Sequence, residues 1–180
     1  MATSFKINQS ELELMRGDLT ALEVEAFVFY ARSDLSLGSG FGNAISTRGG
    51  PTIKQELEKI GKVNPNEAII SSSGNLAAKH IVHAVGPKFQ EENFSAKLKT
   101  TMENTLEKAD EKGISEIAFP IMGGGFYGLP FDTCIQIMLE SINKHLSGTA
   151  SLKKVILCAN DNREFRMFES NLNKYFGGEK

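Results

Sequence analysis

The fold class predicted by the sequence is α/β: a three-layer α/β/α sandwich around a central mixed, largely parallel sheet. Three observations predict it. Strand-like and helix-like segments alternate along most of the chain, the order that crossover connections between parallel strands produce. Val24-Glu25-Ala26-Phe27-Val28-Phe29-Tyr30-Ala31 is nearly all apolar, as a strand covered on both faces must be. Twice, an apolar run passes into glycines and then into a segment of helical periodicity, the order strand, glycine loop, helix.

Each element has its own warrant. Glu11-Leu12-Glu13-Leu14-Met15 alternates as a strand, and Gly17-Asp18-Leu19-Thr20 stops it. The apolar strand at 24–31 runs into the loop Leu35-Ser36-Leu37-Gly38-Ser39-Gly40-Phe41-Gly42, and a short helix over 43–47 ends at Gly49-Gly50. Pro51 opens a helix that places Ile53, Leu57 and Ile60 on one face, and Gly61 terminates it. Residues 68–72 and 80–85 are strands around the turn Ser73-Gly74-Asn75. A charged helix over 94–112 carries the stripe Leu98, Met102, Leu106 and Ala109, with Gly113 following as its C′ residue. The run Ile117-Ala118-Phe119-Pro120-Ile121-Met122 then enters Gly123-Gly124-Gly125-Phe126-Tyr127-Gly128. Pro130 suits the first turn of the next helix, whose apolar face is Phe131, Cys134, Ile135, Met138, Ile142 and Leu146. A strand at 155–159 and a helix at 164–175, with Phe165, Phe168, Leu172 and Tyr175 on one side, complete the chain. With no repeat, linker or low-complexity segment, the 180 residues read as a single domain.

Composition excludes several classes. A net charge of -2 offers no footprint for nucleic acid, which calls for a basic face. No apolar run reaches the length of a membrane span, and the start lacks the apolar region of a secretory signal. Cys134 and Cys158 sit far apart in apolar contexts and read as small buried hydrophobes, not as a disulfide, so the cytoplasm is the expected compartment. His80 and His83 stand three apart in a strand and so face opposite sides, which leaves no metal site; no cofactor is expected either. His83 reads as a partly buried, hydrogen-bonded strand residue, and His145 as a helix-end residue favoured by the dipole. No serine or cysteine sits in a nucleophile elbow.

The glycine loops carry the chemistry. A helix N-terminus leaves backbone N–H groups unpaired and bears partial positive charge, so it attracts anions, and glycine lets the backbone come close to them. Residues 123–128 therefore read as a phosphate cradle at the end of a strand, with a purely structural turn as the alternative. Gly123-x-Gly125-x-x-Gly128 also matches the dinucleotide fingerprint, but it lies late in the chain and lacks the acidic residue that would hold a ribose about 20 residues on. The loop at 38–42 follows a strand in the same way. Neighbouring parallel strands would bring both loops to one sheet edge, where they could clasp a single pyrophosphate.

Over residues 14–175 the chain resembles the macro domain family, which binds ADP-ribose. Gly17-Asp18-Leu19-Thr20 is similar to the family's Gly-Asp-Ile-Thr, and Val24-Glu25-Ala26-Phe27-Val28 to its Val-Asp-Ala-Ile-Val. Gly38-Ser39-Gly40-Phe41-Gly42-Asn43-Ala44-Ile45 stands at the first glycine loop, and Ala78-Lys79-His80-Ile81-Val82-His83-Ala84-Val85-Gly86-Pro87 is close to Ala-Lys-x-Val-Ile-His-Thr-Val-Gly-Pro. Ile117-Ala118-Phe119-Pro120 and Gly125-Phe126-Tyr127-Gly128 resemble Ile-Ala-Phe-Pro and Gly-Val-Tyr-Gly. The resemblance implies that Asp18, followed by Leu19, accepts a hydrogen bond from the adenine amino group, the alternative being a cap or turn aspartate. It implies that backbone amides around Gly38, Ser39, Gly40 and Phe41, and around Gly123, Gly124, Gly125, Phe126 and Tyr127, bind the diphosphate, with Phe126 against the distal ribose. Asn160 stands where the family often stacks an aromatic ring on adenine.

The chain departs from the family at positions that matter for hydrolysis. Phe29-Tyr30-Ala31-Arg32 replaces Asn-Ala-Ala-Asn, Gly42 replaces an acidic residue, and Gly123-Gly124 replaces Ser-Thr. Arg32 is then either a partner for a ligand phosphate or carboxylate or an ordinary loop salt bridge. The expected function is binding of ADP-ribose, a related nucleotide diphosphate or ADP-ribosylated protein, with weak or no hydrolysis for want of acid–base groups. The alternatives are an enzyme acting on ADP-ribosyl bonds or on ADP-ribose phosphate, and a degenerate domain that serves as a protein-interaction module.

Overall fold

The apolar runs pair into one seven-stranded sheet in the order β1-β2-β7-β6-β3-β5-β4. The computed structural model describes residues 3–124, 129–148 and 150–177. In chain order the elements are β1 (Ser4–Ile7), β2 (Ser10–Arg16), a 3-10 turn (Leu19–Ala21), β3 (Ala26–Tyr30), α1 (Phe41–Gly49), α2 (Pro51–Ile60), β4 (Ala68–Ser72), β5 (His80–Ala84), α3 (Phe94–Glu111), β6 (Glu116–Phe119), α4 (Phe131–Ser147), β7 (Lys154–Ala159) and α5 (Asn162–Phe176). The five strands β2, β7, β6, β3 and β5 are mutually parallel, and the outer strands β1 and β4 are antiparallel to their neighbours.

Side-chain alternation sorts the core into two layers. Val28 and Leu157 face α3, α4 and α5, whose Leu98, Met102, Met138, Ile142 and Phe168 close that side. Phe27, Phe29, Ile156 and Cys158 face the opposite layer, where Ile45, Ile53 and Leu57 of α1 and α2 pack. Helices therefore cover both faces, which is why β3 and β7 carry unbroken apolar runs. Full burial of a side chain such as Phe27 or Phe119 contributes about 1.5–3 kcal/mol.

Local differences from the sequence expectation have local causes. β1 has no counterpart in the apolar pattern: it is a short, mostly exposed edge strand, joined to β2 through Asn8, whose φ of 56° is the left-handed value that a tight hairpin needs. α1 runs over nine residues, starting at Phe41 and taking in Gly49. Pro130 is the N-cap of α4, not a first-turn residue; its extended backbone (ψ 143°) lets its carbonyl accept from the Cys134 N–H at 3.2 Å. Ile60 and Tyr175, placed on apolar faces by periodicity, are each 39% exposed because both lie in the last turn of their helices. Asp161 caps α5, accepting from the Glu164 N–H at 2.8 Å, and Glu164 reaches back past the cap to accept from the Asn160 N–H at 3.2 Å.

Candidate functional site

Because β2, β7, β6, β3 and β5 run parallel, the segments after each of them leave the sheet at one edge. In order across that edge come Gly17-Asp18, Asn160-Asp161, the glycine segment after Phe119, the loop after Tyr30, and Val85-Gly86-Pro87. β6 and β3 are direct neighbours, Phe27 lying opposite Ala118, so the two glycine loops emerge side by side. The Gly17 N–H donates to the Ala159 carbonyl at 2.9 Å and draws the Asp18 segment against the end of β7.

The first loop ends in an uncapped helix. Gly38 and Gly40 have φ of 67° and 63°, left-handed values that glycine adopts at least cost, and they turn the chain into α1. No side chain caps α1, and its first turn holds no acidic residue, so its amide N–H groups carry undiluted positive potential. Gly38, Ser39 and Gly40 are exposed, while the Phe41 ring is turned inward, stacked on Phe29 at 6.0 Å. The Arg32 guanidinium lies over Gly38, with Nη2 3.3 Å from where a Cβ would stand. The loop salt bridge does not form: among the described residues Arg32 pairs with no carboxylate. The neighbouring Asp34 carboxylate instead accepts from the Ser36 N–H at 2.9 Å and hydroxyl at 2.7 Å. The Ser36 hydroxyl, its amide and the nearby charge of Arg32 hold the Asp34 carboxyl below the usual range. At Gly42 a Cβ would stand 1.7 Å from the Leu37 carbonyl oxygen, so no acidic side chain fits there while the loop keeps this path.

The base of the second loop is equally tight. The Leu129 N–H donates to the Gly123 carbonyl at 3.1 Å, and Gly124 bridges to Leu129. A Cβ on Gly124 would meet the Phe131 ring at 2.6 Å, and one on Gly123, whose φ is 76°, would come 3.1 Å from Phe94, so a Ser-Thr pair would require the Phe131 ring to shift and would strain the backbone at 123. Gly125, Phe126 and Tyr127 lie outside the described residues.

Asp18 is the N-cap of the 3-10 turn: its Oδ1 accepts from the Thr20 N–H at 2.9 Å and from the Thr20 hydroxyl at 2.6 Å. Its Oδ2 is paired with Arg48 of α1, whose Nη1 also donates to the Thr20 hydroxyl oxygen at 2.7 Å. Burial pushes the Asp18 carboxyl up, but the hydrogen bonds from the Thr20 hydroxyl, the Arg48 guanidinium and the Thr20 amide outweigh it and hold it below its ordinary value. Leu19 is buried and Asn160 is exposed. Arg48 escaped the sequence reading because its partner stands 30 positions earlier and no spacing rule connects them.

The other candidates are structural. His83 is wholly buried, more than expected, with Nε2 2.7 Å from the Ser71 hydroxyl; burial lowers its pKa to about 4, so it is neutral at pH 7. Among the described residues no group of three His, Cys, Asp or Glu side chains could hold a metal ion. Cys134 and Cys158 are unpaired and buried, and burial pushes each thiol up to about 11. The Tyr30 hydroxyl donates to the Pro87 carbonyl at 2.5 Å, with its ring filling the space that a side chain on Gly86 would need. A cavity of about 390 Å³ opens between the first loop and α2, lined by Asp34, Ser36, Gly38, Ser46, Lys54 and Glu58 among others, so it shares Gly38 with the first glycine loop.

The Macro domain family model matches residues 30–138. The chain belongs to the macro domain family. Its relatives include an uncharacterised protein of Saccharolobus solfataricus, 36% identical over 91% of this chain and 93% of that one. The O-acetyl-ADP-ribose deacetylase of Cronobacter sakazakii is 29% identical over 91% of this chain and 94% of the enzyme. Among solved structures, the Oceanobacillus iheyensis macrodomain with ADP superposes with a TM-score of 0.89 at 25% identity, covering 97% of this chain and 96% of that one. In this macro domain the mixed α/β sheet starts the two glycine loops from neighbouring strands, and Arg32, Gly42 and the Asp18–Arg48 pair lie along that edge. No helix among the described residues is long and apolar enough to cross a membrane.

Proposed function

We propose that this macro domain, a single unit over 1–180, binds ADP-ribose or a related nucleoside diphosphate across the carboxyl edge of the sheet. The observation that carries the reading is the adjacency of β3 and β6, which sets two glycine loops side by side, one of them opening into an uncapped helix. Backbone amides of Gly38, Ser39, Gly40 and Phe41, with those of Gly123 and Gly124 and of Gly125, Phe126 and Tyr127, receive the diphosphate. Arg32 adds a charged donor above Gly38, and hydrogen bonds to charged groups contribute about 1.5–3 kcal/mol each. Asp18 and Leu19 take the adenine end, with Asn160 beside it in place of a stacking ring. ADP-ribosylated protein in the cytoplasm is the physiological partner of such a site.

Hydrolysis is weak or absent in this reading. The acidic side chain that could activate water at the first loop is missing: Asp34 is engaged by Ser36, and position 42 has no room for one. The relatedness to an O-acetyl-ADP-ribose deacetylase favours one second reading, an esterase that relies on positioning a loop-held water. Calorimetry with ADP-ribose tests binding, and absence of heat at millimolar ligand refutes it. A turnover assay on O-acetyl-ADP-ribose and on ADP-ribosylated protein separates binder from enzyme: rapid release would overturn the assignment as a binder.

A further inference from the structure

A nucleotide laid along this edge has to cross the end of β7. Asp18 follows β2, the two glycine loops follow β6 and β3, and β7 lies between β2 and β6 in the sheet. With the base at Asp18 and the diphosphate at the loops, the ribose that joins them stands over residues 160–163, just after β7. Two arginines meet there. Arg16, the last residue of β2, is in register with Ala159 at the end of β7, and its Nη1 donates to Asn162 Oδ1 at 2.5 Å. The Arg163 guanidinium carbon lies 5.5 Å from the centroid of the Phe131 ring, the same ring that packs against Gly124. Arg163 therefore stands between the ribose crossing and the base of the second glycine loop.

Both arginines are exposed, and among the described residues neither pairs with a carboxylate. The acidic neighbours are turned to the backbone instead: Asp161 accepts from the Glu164 N–H and Glu164 from the Asn160 N–H. A plain ribose offers a guanidinium only neutral hydroxyls. A phosphate monoester offers a charge of about −1.5 to −2 at pH 7 and oxygens spaced for two parallel hydrogen bonds. Arginine beside the ribose is also how dinucleotide sites accommodate a 2′-phosphate. We infer that Arg163 and Arg16 form an anion subsite for a phosphate on the nucleoside ribose, so that this cleft favours ribose-phosphorylated nucleoside diphosphates over plain ones. The inference rests on the reading of Asp18 as the base contact and of the glycine loops as the diphosphate cradle. Arg163 takes the phosphate from the loop side, and its stack on Phe131 restrains the side chain before any ligand arrives. Arg16, tethered by Asn162, takes it from the β2 side. The 2′- and 3′-hydroxyls are neighbours on the ring, so the same two side chains serve either ester.

ADP, 2′-phospho-ADP and 3′-phospho-ADP are the probes. Calorimetry on the full chain at low salt should show one or both phosphorylated nucleotides binding about tenfold or more tightly than ADP, about 1.4 kcal/mol. The isomer that gains identifies the hydroxyl. Raising the salt concentration should shrink the advantage. The double variant Arg16→Met, Arg163→Met removes both charges at little change in length and should bring the phosphorylated nucleotides to within about twofold of ADP; Arg163→Lys alone, which keeps the charge but not the fork, should retain part of the advantage. Two isomers that bind no better than ADP, or an advantage undiminished in the double variant, overturn the subsite and leave the nucleotide site standing. Heat from none of the three nucleotides with the parent chain overturns the nucleotide site itself, and the inference with it.

Discussion

Replacing Gly42 by alanine should destabilise this domain even though glycine is the poorer helix former. The added Cβ would sit 1.7 Å from the Leu37 carbonyl oxygen, 2.5 Å from its carbon and 3.1 Å from Leu37 Cα. All of these are backbone atoms, so no rotamer change relieves the overlap; the loop at 35–40 has to move. Forced overpacking costs about 3 kcal/mol, and the better helix propensity of alanine returns about 1, leaving a net loss of about 2 kcal/mol. For a chain of this size that corresponds to a fall in Tm of about 4–8 °C. The same shift displaces Gly38 and Gly40, so ADP-ribose affinity should fall with stability. Thermal and urea melts read the first effect and calorimetry the second. An alanine variant as stable as the parent, with unchanged affinity, would show that the Leu37 carbonyl does not press against α1. It would also remove the steric bar to an acidic residue at position 42.

Three further outcomes are expected. His83 is buried neutral, with its pKa lowered to about 4, whereas an unfolded histidine titrates near 6.5. Its contribution is therefore intact above about pH 6.5 and lost as pH falls toward 4, about 3 kcal/mol in all; urea melts between those limits should show the slope, and His83→Gln should flatten it. Arg32→Ala should weaken ADP-ribose about tenfold or more and reduce the salt dependence of binding; calorimetry at two ionic strengths reads both, and unchanged affinity would place Arg32 outside the site. Asp18→Ala removes the cap on the 3-10 turn and should cost about 1 kcal/mol of stability in a denaturant melt, with ADP-ribose binding falling about tenfold or more.

Much of this molecule is legible in one dimension, and its local signals explain why. Apolar runs such as Phe27-Val28-Phe29 and Val155-Ile156-Leu157 bury both faces, so they announce central strands without knowledge of their neighbours. The stripe Leu98, Met102, Leu106 marks α3, and Gly61 its predecessor's end, because helical spacing and termination are settled within a turn or two. The order of the family motifs along the chain is visible for the same reason. β1 is not, because a short exposed edge strand buries too little to need an apolar pattern.

Only the tertiary structure decided which of these pieces meet. Strand order placed β6 beside β3 and so made two separate glycine loops into one edge. It brought Arg48 onto Asp18 across 30 positions, laid the Leu37 carbonyl against Gly42, and shut His83 away from water. Periodicity and propensity are properties of neighbouring residues, whereas these contacts are won by the packing of whole layers, whose free energy is shared among residues far apart in the chain.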